Sequence, residues 1–218
     1  MAVRLRGVDM TEVTIGAPKP PSRRRSLLLT RVTPGIALLV LASIAVLRIW
    51  VVEMAIVEGN SMKDTLQTGD RVLISKLLQV TRFDIIVLRD PETSGTDIKR
   101  VVGVPGDVIS MVPYVGDTGG GRTAVYGSQL YINSIPYKEP YATSIIPKTM
   151  SPGRMKPDSY WVLGDNRDDS IDSRKYGQLK GKSIRGVAIA VVYPPSRIRL
   201  LDRDPKAVPD MDAIKRAQ

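Results

Sequence analysis

The feature that most constrains this chain is a run without charged residues from Val32 to Leu47, which follows an arginine-rich stretch. Sixteen helical residues rise about 24 Å, less than the roughly 30 Å hydrocarbon core of a bilayer. A spanning helix must therefore continue beyond the run, or Arg48 must extend its side chain to the interface. The sequence predicts a transmembrane helix over residues 32–52, preceded by a basic tail over residues 1–31.

Two other interpretations of this run stay open. A cleaved secretory signal also combines a basic region, an apolar stretch and small residues, although the basic region here is unusually long. A buried helix of a soluble domain is the second, and the three consecutive arginines at 23–25 speak against it. Because Lys and Arg are concentrated before the run, we expect a single-pass plasma-membrane protein with a cytoplasmic tail and the bulk of the chain outside.

After the run, the hydrophobic pattern changes to that of strands. Candidate strands bounded by Gly, Pro and Asp lie at 49–57, 71–76, 84–88, 98–109, 129–137, 159–163 and 183–193. No segment outside the apolar run predicts a helix. We therefore expect a mainly β chain: an antiparallel β-sheet catalytic domain from residues 53–112 and 158–200, a small inserted β and coil subdomain over 113–157, and a loose charged tail over 201–218.

Composition restricts the chemistry. The chain has no His and no Cys, which excludes a thiol nucleophile, an imidazole base and disulfides, and predicts neither a metal site nor a cofactor. The net charge is +10, but the basic residues concentrate in the amino-terminal tail. We interpret this charge as favouring contact with a lipid bilayer rather than with nucleic acid.

Three stretches hold candidate functional residues. Ser61 follows a glycine and an asparagine, so it is either a turn serine or a nucleophile whose base must be Lys or a carboxylate. Lys99, taken alone, is typical of a surface strand. The acidic loop 164–174 suits a solvated turn or a calcium site, but Arg167 and Ser170 interrupt the spacing of an EF-hand.

Taken together and in order, the three stretches resemble the type I signal peptidase family. They read Gly-Asn-Ser-Met at 59–62, Lys-Arg-Val-Val-Gly-Val-Pro-Gly-Asp at 99–107 and Gly-Asp-Asn-Arg-Asp-Asp-Ser-Ile-Asp-Ser-Arg at 164–174. The resemblance covers about residues 48–110 and 158–193. It implies a membrane-anchored serine endopeptidase that removes signal peptides from exported preproteins, cleaving after small residues at −1 and −3.

By this resemblance, Ser61 is the nucleophile, neutral Lys99 is the general base, and the Ser170 hydroxyl bonds to the base and orients it. A lysine accepts a proton only when its amine is neutral, which requires an apolar setting. We expect Ile98, Val101 and Val102 to provide that setting.

The resemblance also implies roles for residues around the dyad. Backbone N–H groups at Ser61 and Gly59 would hold the oxyanion, although some family members have a serine hydroxyl where this chain has Gly59. Extended substrate would lie beside residues 54–58 and 96–99 as an added strand. The remaining residues are the pocket walls Val57, Met62 and Ile98, and the loop-shaping residues Arg100, Asp165, Asn166, Asp172 and Arg174.

Two rival functions remain at this stage. Ser/Lys self-cleaving peptidases share the dyad but act in the cytosol and need no anchor. A catalytically silent β-domain displayed on the membrane as a binding or assembly factor would need neither Ser61 nor Lys99. The expected partners of the enzyme are preprotein signal peptides and the bilayer, with the secretion machinery as a further candidate.

Overall fold

The computed structural model describes residues 34–46, 51–93, 95–117, 123–143, 148–203 and 207–216. Helix α1 covers residues 34–46. Among the described residues, no helix combines the length and apolarity needed to cross a membrane. The predicted carboxyl end of the apolar helix is wrong, because Val52 begins a strand. Positions 32, 33 and 47–50 of that prediction lie outside the described residues.

The described chain contains thirteen strands and two short α-helices after α1. The strands are β1 (Val52–Ile56), β2 (Arg71–Ser75), β3 (Ile85–Arg89), β4 (Thr96–Gly103), β5 (Val108–Asp117), β6 (Thr123–Ile132), β7 (Ile135–Lys138), β8 (Met150–Arg154), β9 (Ser159–Leu163), β10 (Leu179–Lys180), β11 (Ile184–Tyr193), β12 (Arg199–Leu200) and β13 (Val208–Pro209). The helices are α2 (Ser173–Tyr176) and α3 (Met211–Arg216). The expectation of no helix outside the apolar run is therefore wrong for these two short segments.

The described strands form two antiparallel sheets, which confirms the mainly β fold. An eight-stranded sheet has the order β1-β2-β11-β3-β4-β9-β10, with β12 paired to β11. A five-stranded sheet has the order β13-β7-β6-β5-β8. β3 is buried on both faces, because Ile85 and Val87 pack into one apolar cluster and Ile86 and Leu88 into another. This explains why its sequence is a continuous apolar run.

The second sheet does not coincide with the predicted insertion over 113–157. It begins at Val108 in β5 and gains β13 from the segment predicted as a loose tail, where Val208 pairs with Lys138. That segment is held in place by packing, since Ala207 is buried in an apolar cluster and the Asp210 N–H donates to the Pro136 carbonyl at 2.7 Å. A two-residue strand is too short to give a periodic signal, so the sequence pattern misses it.

Candidate active site

Ser61 lies in the turn that joins β1 to β2. The N–H of Val57 donates to the Asp70 carbonyl at 2.8 Å, and the Gly69 N–H donates to the Val57 carbonyl at 2.9 Å, which closes the turn at its base. Met62 and Leu66 are buried and fix its middle in the core. Ser61 is consequently a half-buried residue in a well-anchored loop.

Gly59 belongs to the same turn. It has a φ of +80°, a left-handed conformation that favours glycine. The turn therefore needs glycine at this position for its backbone, whatever the source of the oxyanion donors.

Lys99 lies on β4, opposite Ile86 of β3, and is only 2% exposed. Side chains alternate along a strand, so Val101 shares its face. Val101 and Ile86 belong to one apolar cluster, while Ile98 belongs to another on the opposite face. Of the three residues expected to form the apolar setting, only Val101 lies on the face of Lys99, because Ile98 and Val102 point to the opposite face of β4.

The structure brings Lys99 and Ser61 together although 38 residues separate them: Lys99 Nζ lies 3.0 Å from Ser61 Oγ. The same Nζ lies 2.5 Å and 2.6 Å from the two carboxylate oxygens of Asp97, and 3.2 Å from the Ile98 carbonyl oxygen. Sequence reasoning missed Asp97. The signal was its position two residues before Lys99, which places both side chains on one face of a strand.

The predicted hydrogen bond between Ser170 and Lys99 is not made. Ser170 Oγ is buried, and the hydrogen-bond partners of Lys99 Nζ are instead Ser61, Asp97 and Ile98. Ser170 nevertheless packs beside the turn of Ser61, because a Cβ built on Gly164 would lie 2.3 Å from Ser170 Oγ and 2.5 Å from the Ser61 carbonyl oxygen. Lys99 Nζ contacts the carboxylate of Asp97 instead of the Ser170 hydroxyl.

The acidic loop supports the Ser61 turn through two hydrogen bonds that Asn166 donates to backbone carbonyls of the turn. The Asn166 N–H donates to the Ser61 carbonyl at 3.0 Å, and Asn166 Nδ2 donates to the Asn60 carbonyl at 3.2 Å. These two bonds bracket the backbone of Ser61. Asn166 therefore contacts the turn directly, as a loop-shaping residue should.

Arg100 and Asp165 form a buried ion pair between β4 and this loop. Arg100 Nε and Nη2 donate to the two oxygens of Asp165 at 2.8 Å and 2.7 Å, and Thr65 Oγ1 donates to the same carboxylate at 2.6 Å. The Arg100 guanidinium also lies 4.0 Å from the ring centre of Tyr141. One carboxylate thereby connects β4, the acidic loop and the serine turn.

A cleft of about 350 Å³ separates β1 from the start of β4. Its walls are formed by Glu53, Met54, Ala55, Ile56, Glu58, Thr96, Asp97, Ile98 and Arg185. Among the described strands, β1 pairs only with β2, and β4 pairs with β9 only from Arg100 onward. Each wall therefore offers an unpaired strand edge to the cleft.

The predicted pocket residues Val57, Met62 and Ile98 belong to a single buried apolar cluster. Of these three, Ile98 reaches the cleft wall. The structure thus groups the three residues but exposes mainly Ile98 and its neighbours on β1 to an incoming ligand.

Comparison with known proteins identifies the family of the chain. The family model described as "Signal peptidase, peptidase S26" matches residues 29–193. Signal peptidase I P of Bacillus subtilis subsp. natto is 31% identical over 177 residues, covering 74% of this chain and 88% of that protein. Signal peptidase I of Streptococcus pneumoniae is 30% identical over 190 residues, covering 75% and 93%. The chain belongs to the S26 signal peptidase family.

A solved structure also shows a weaker likeness. The signal peptidase I of Enterococcus faecalis is 27% identical, with a TM-score of 0.39, and the match covers 50% of this chain and 97% of that one.

Membership of the S26 family makes this chain a serine endopeptidase.

The acidic loop is built from arginine–carboxylate pairs. Asp172 accepts two bonds from the Arg174 guanidinium, at 2.8 Å and 2.7 Å, and a third from the Gly164 N–H at 3.0 Å. Burial raises the pKa of the Asp172 carboxyl, but the bonds from Arg174 outweigh it, and the net pKa lies below its ordinary value.

The described residues include no cluster of three or more His, Cys, Asp or Glu that could hold a metal ion. In the acidic loop, the carboxylates of Asp165 and Asp172 are turned toward arginines. Within this S26 endopeptidase, Asp165 and Asp172 of the loop are therefore paired with arginines.

Proposed function

We propose that this endopeptidase removes signal peptides from preproteins, with Ser61 as nucleophile and neutral Lys99 as general base. The observation that carries the proposal is the 3.0 Å approach of a buried Lys99 Nζ to Ser61 Oγ. The names of the related proteins, all signal peptidases, support the substrate class.

In this mechanism, Ser61 Oγ attacks the scissile carbonyl while its proton moves to Lys99 Nζ. Backbone N–H groups near Ser61 and Gly59 stabilise the oxyanion of the tetrahedral intermediate. The Lys99 ammonium then gives its proton to the leaving amine, and an acyl-enzyme remains on Ser61. Lys99, neutral again, takes a proton from the water that hydrolyses the ester and returns the serine.

Specificity would come from the cleft between β1 and β4. A peptide lying between two unpaired edges forms backbone hydrogen bonds as an added strand, and the apolar wall near Ile98 leaves room for small side chains. We expect preproteins with Ala, Gly or Ser at −1 and −3 to be cleaved, and those with Leu or Phe at −1 to resist. Equal cleavage of both groups would contradict this pocket.

The amino-terminal segment would anchor the enzyme, with the catalytic part outside the plasma membrane. The support is the charge-free run after three consecutive arginines at 23–25. Protease added to right-side-out vesicles should degrade the catalytic part and spare the tail. Protection of residues beyond 55 would argue against this orientation.

The mechanism is tested with the full chain in detergent, a preprotein substrate and sequencing of the new amino terminus. Ser61→Ala and Lys99→Ala should fall to a similar low rate, because members of a catalytic pair act as a unit. Lys99→Arg should also lose nearly all activity while staying folded, because a guanidinium cannot become a neutral base in a protein. Lys63→Arg, an exposed change on the same turn, is the matched control and should keep the wild-type rate.

Each rival function predicts a different result. A silent binding domain would leave the preprotein uncut by the wild-type chain. A self-cleaving peptidase would shorten its own chain and leave the preprotein intact. A folded and active Lys99→Arg enzyme would refute Lys99 as the base, even if Ser61 proved essential.

A further inference from the structure

The proposed dyad has a third member that sequence reasoning did not foresee. Asp97 lies on β4, two residues before Lys99, and both of its carboxylate oxygens lie within hydrogen-bond distance of Lys99 Nζ. We propose that Asp97 is a positioning residue that sets the pH range of the enzyme, by holding Lys99 as an ammonium in the resting site. This inference rests on the proposed function of Lys99 as general base.

The geometry around Nζ is that of a fully bonded ammonium. The oxygens that could accept its three protons are those of the Asp97 carboxylate, the Ile98 carbonyl oxygen at 3.2 Å and Ser61 Oγ at 3.0 Å. Asp97 Oδ1 also accepts the Ile98 N–H at 2.7 Å, which fixes the carboxylate against the strand. Lys99 is 2% exposed and the Asp97 side chain 23%, so water screens this pair only in part.

Other titratable groups face this pair from several elements. They are Asp90 and Glu92 from the loop after β3, Tyr176 from α2, Glu53 and Glu58 from the β1 wall, and Arg185 from β11. Glu92 pairs with Lys175, and Glu53 pairs with Arg185 and Lys76. Among the described residues, Asp97 alone places a carboxylate in hydrogen-bond contact with Lys99.

The negative charge of Asp97 also affects the pKa of the buried phenol of Tyr176. Burial raises the pKa of Tyr176 well above its ordinary value, and the carboxylate of Asp97 adds to that effect, followed by those of Asp172 and Asp90. Tyr176 therefore stays neutral and does not compete with Asp97 for the Lys99 charge.

A carboxylate beside the base has two opposite effects on the rate. It stabilises the ammonium of the resting enzyme, which reduces the fraction of Lys99 that is neutral and able to accept a proton. It also stabilises the ammonium that forms when Ser61 loses its proton. In the transition state that proton is only partly transferred, so the second effect is a fraction of the first. Asp97 should therefore lower the rate at pH values below the rising limb of the pH profile and raise the rate at pH values above it.

The test is the pH profile of kcat/KM for Asp97→Asn in the full chain, measured on one peptide substrate. Asparagine keeps the oxygen that accepts the Ile98 N–H and removes the negative charge. The rising limb should move to lower pH by about one unit or more. At pH values below the limb, cleavage should become about threefold faster, because the lower plateau rate offsets part of the roughly tenfold gain in neutral Lys99. The high-pH plateau should fall by several-fold, so that the two profiles cross.

Three further variants complete the test. Asp97→Ser should shift the rising limb in the same direction, so that the test does not depend on the folding of Asp97→Asn alone. Asp97→Glu, which keeps the negative charge, should restore most of the wild-type profile. Glu92→Gln removes a nearby carboxylate that does not touch Lys99, so its limb should stay in place. A limb that coincides with wild type in Asp97→Asn, or moves to higher pH, would overturn the inference. An active Ser61→Ala enzyme would instead overturn the proposed function.

Discussion

At the scale of single residues, Gly164 controls how closely the acidic loop approaches the serine turn. A Cβ at this position would lie 2.5 Å from the Ser61 carbonyl oxygen and 2.6 Å from Ser170 Cβ, both far inside normal contact. The carbonyl has little freedom to move, since it accepts the Asn166 N–H. We expect Gly164→Ala to lower kcat/KM by roughly tenfold or more through displacement of Ser61, at a cost of about 1–3 kcal/mol in stability.

The matched control is Gly153→Ala on β8. A Cβ there meets no atom within 4 Å, so activity and melting temperature should stay close to wild type. Adding Ser170→Gly to Gly164→Ala removes the side-chain clash and leaves the backbone clash, so only part of the activity should return. Full activity in Gly164→Ala alone would mean that the loop and the turn can separate without effect.

At the scale of elements, the Arg100–Asp165 pair joins β4 to the acidic loop. Both side chains are almost fully buried, and each would leave an unpaired charge if its partner were removed. We expect Arg100→Met and Asp165→Leu each to lower the free energy of unfolding by about 3–5 kcal/mol, measured by urea unfolding. The double variant should recover much of that loss, since no buried charge remains unpaired.

The control pair is Lys175–Glu92, which joins α2 to the loop after β3 at the surface. Because exposed ion pairs contribute less than about 1 kcal/mol, Lys175→Met should change the unfolding free energy little. A loss of similar size at both pairs would show that burial does not govern their strength.

The element scale also shows what sequence reasoning can reach. Apolar runs predicted β3, which has four consecutive buried residues, and β9, which ends in the buried residues Val162 and Leu163. β8 was not predicted, because Pro152 and Gly153 interrupt its pattern. Spacing places Asp97 and Lys99 on one face of β4, but it does not give the contact between their side chains. Spacing also cannot show that Ser170 Oγ, on a separate loop, makes no hydrogen bond to Lys99.

At the scale of the whole molecule, arginine–carboxylate pairs connect distant segments. Arg82 pairs with Asp107 at the start of β5, Arg197 with Asp70 below the serine turn, and Arg203 with Asp84 before β3. The carboxyl-terminal segment therefore binds to the body of the fold through Arg197 and Arg203. In this strongly basic chain, with a net charge of +10, those carboxylates also reduce the repulsion between the basic side chains.

These pairs predict how stability depends on pH. Burial raises the pKa of Asp107, but hydrogen bonds from Arg82, from the Val104 N–H and from Asn133 outweigh it, and the net pKa is lowered. Asp70 behaves in the same way: Arg197 and the Gln67 N–H overcome burial. A carboxyl whose folded-state pKa is lowered stabilises the fold above its ordinary value of 3.8 and loses that contribution as pH falls through the folded value. The free energy of unfolding should therefore stay nearly constant from pH 7 to about pH 5 and fall steeply below 3.8.

The measurement is urea unfolding by circular dichroism at a series of pH values, with Arg82→Gln beside the wild type. Without the Arg82 charge, Asp107 loses the partner that lowers its pKa most, so the variant should be less stable at neutral pH and lose less on acidification. The two stability curves should then converge as pH falls, because a protonated Asp107 gains little from Arg82 in either chain. Parallel curves at every pH would show that Arg82 acts through packing of its side chain and not through the charge of Asp107.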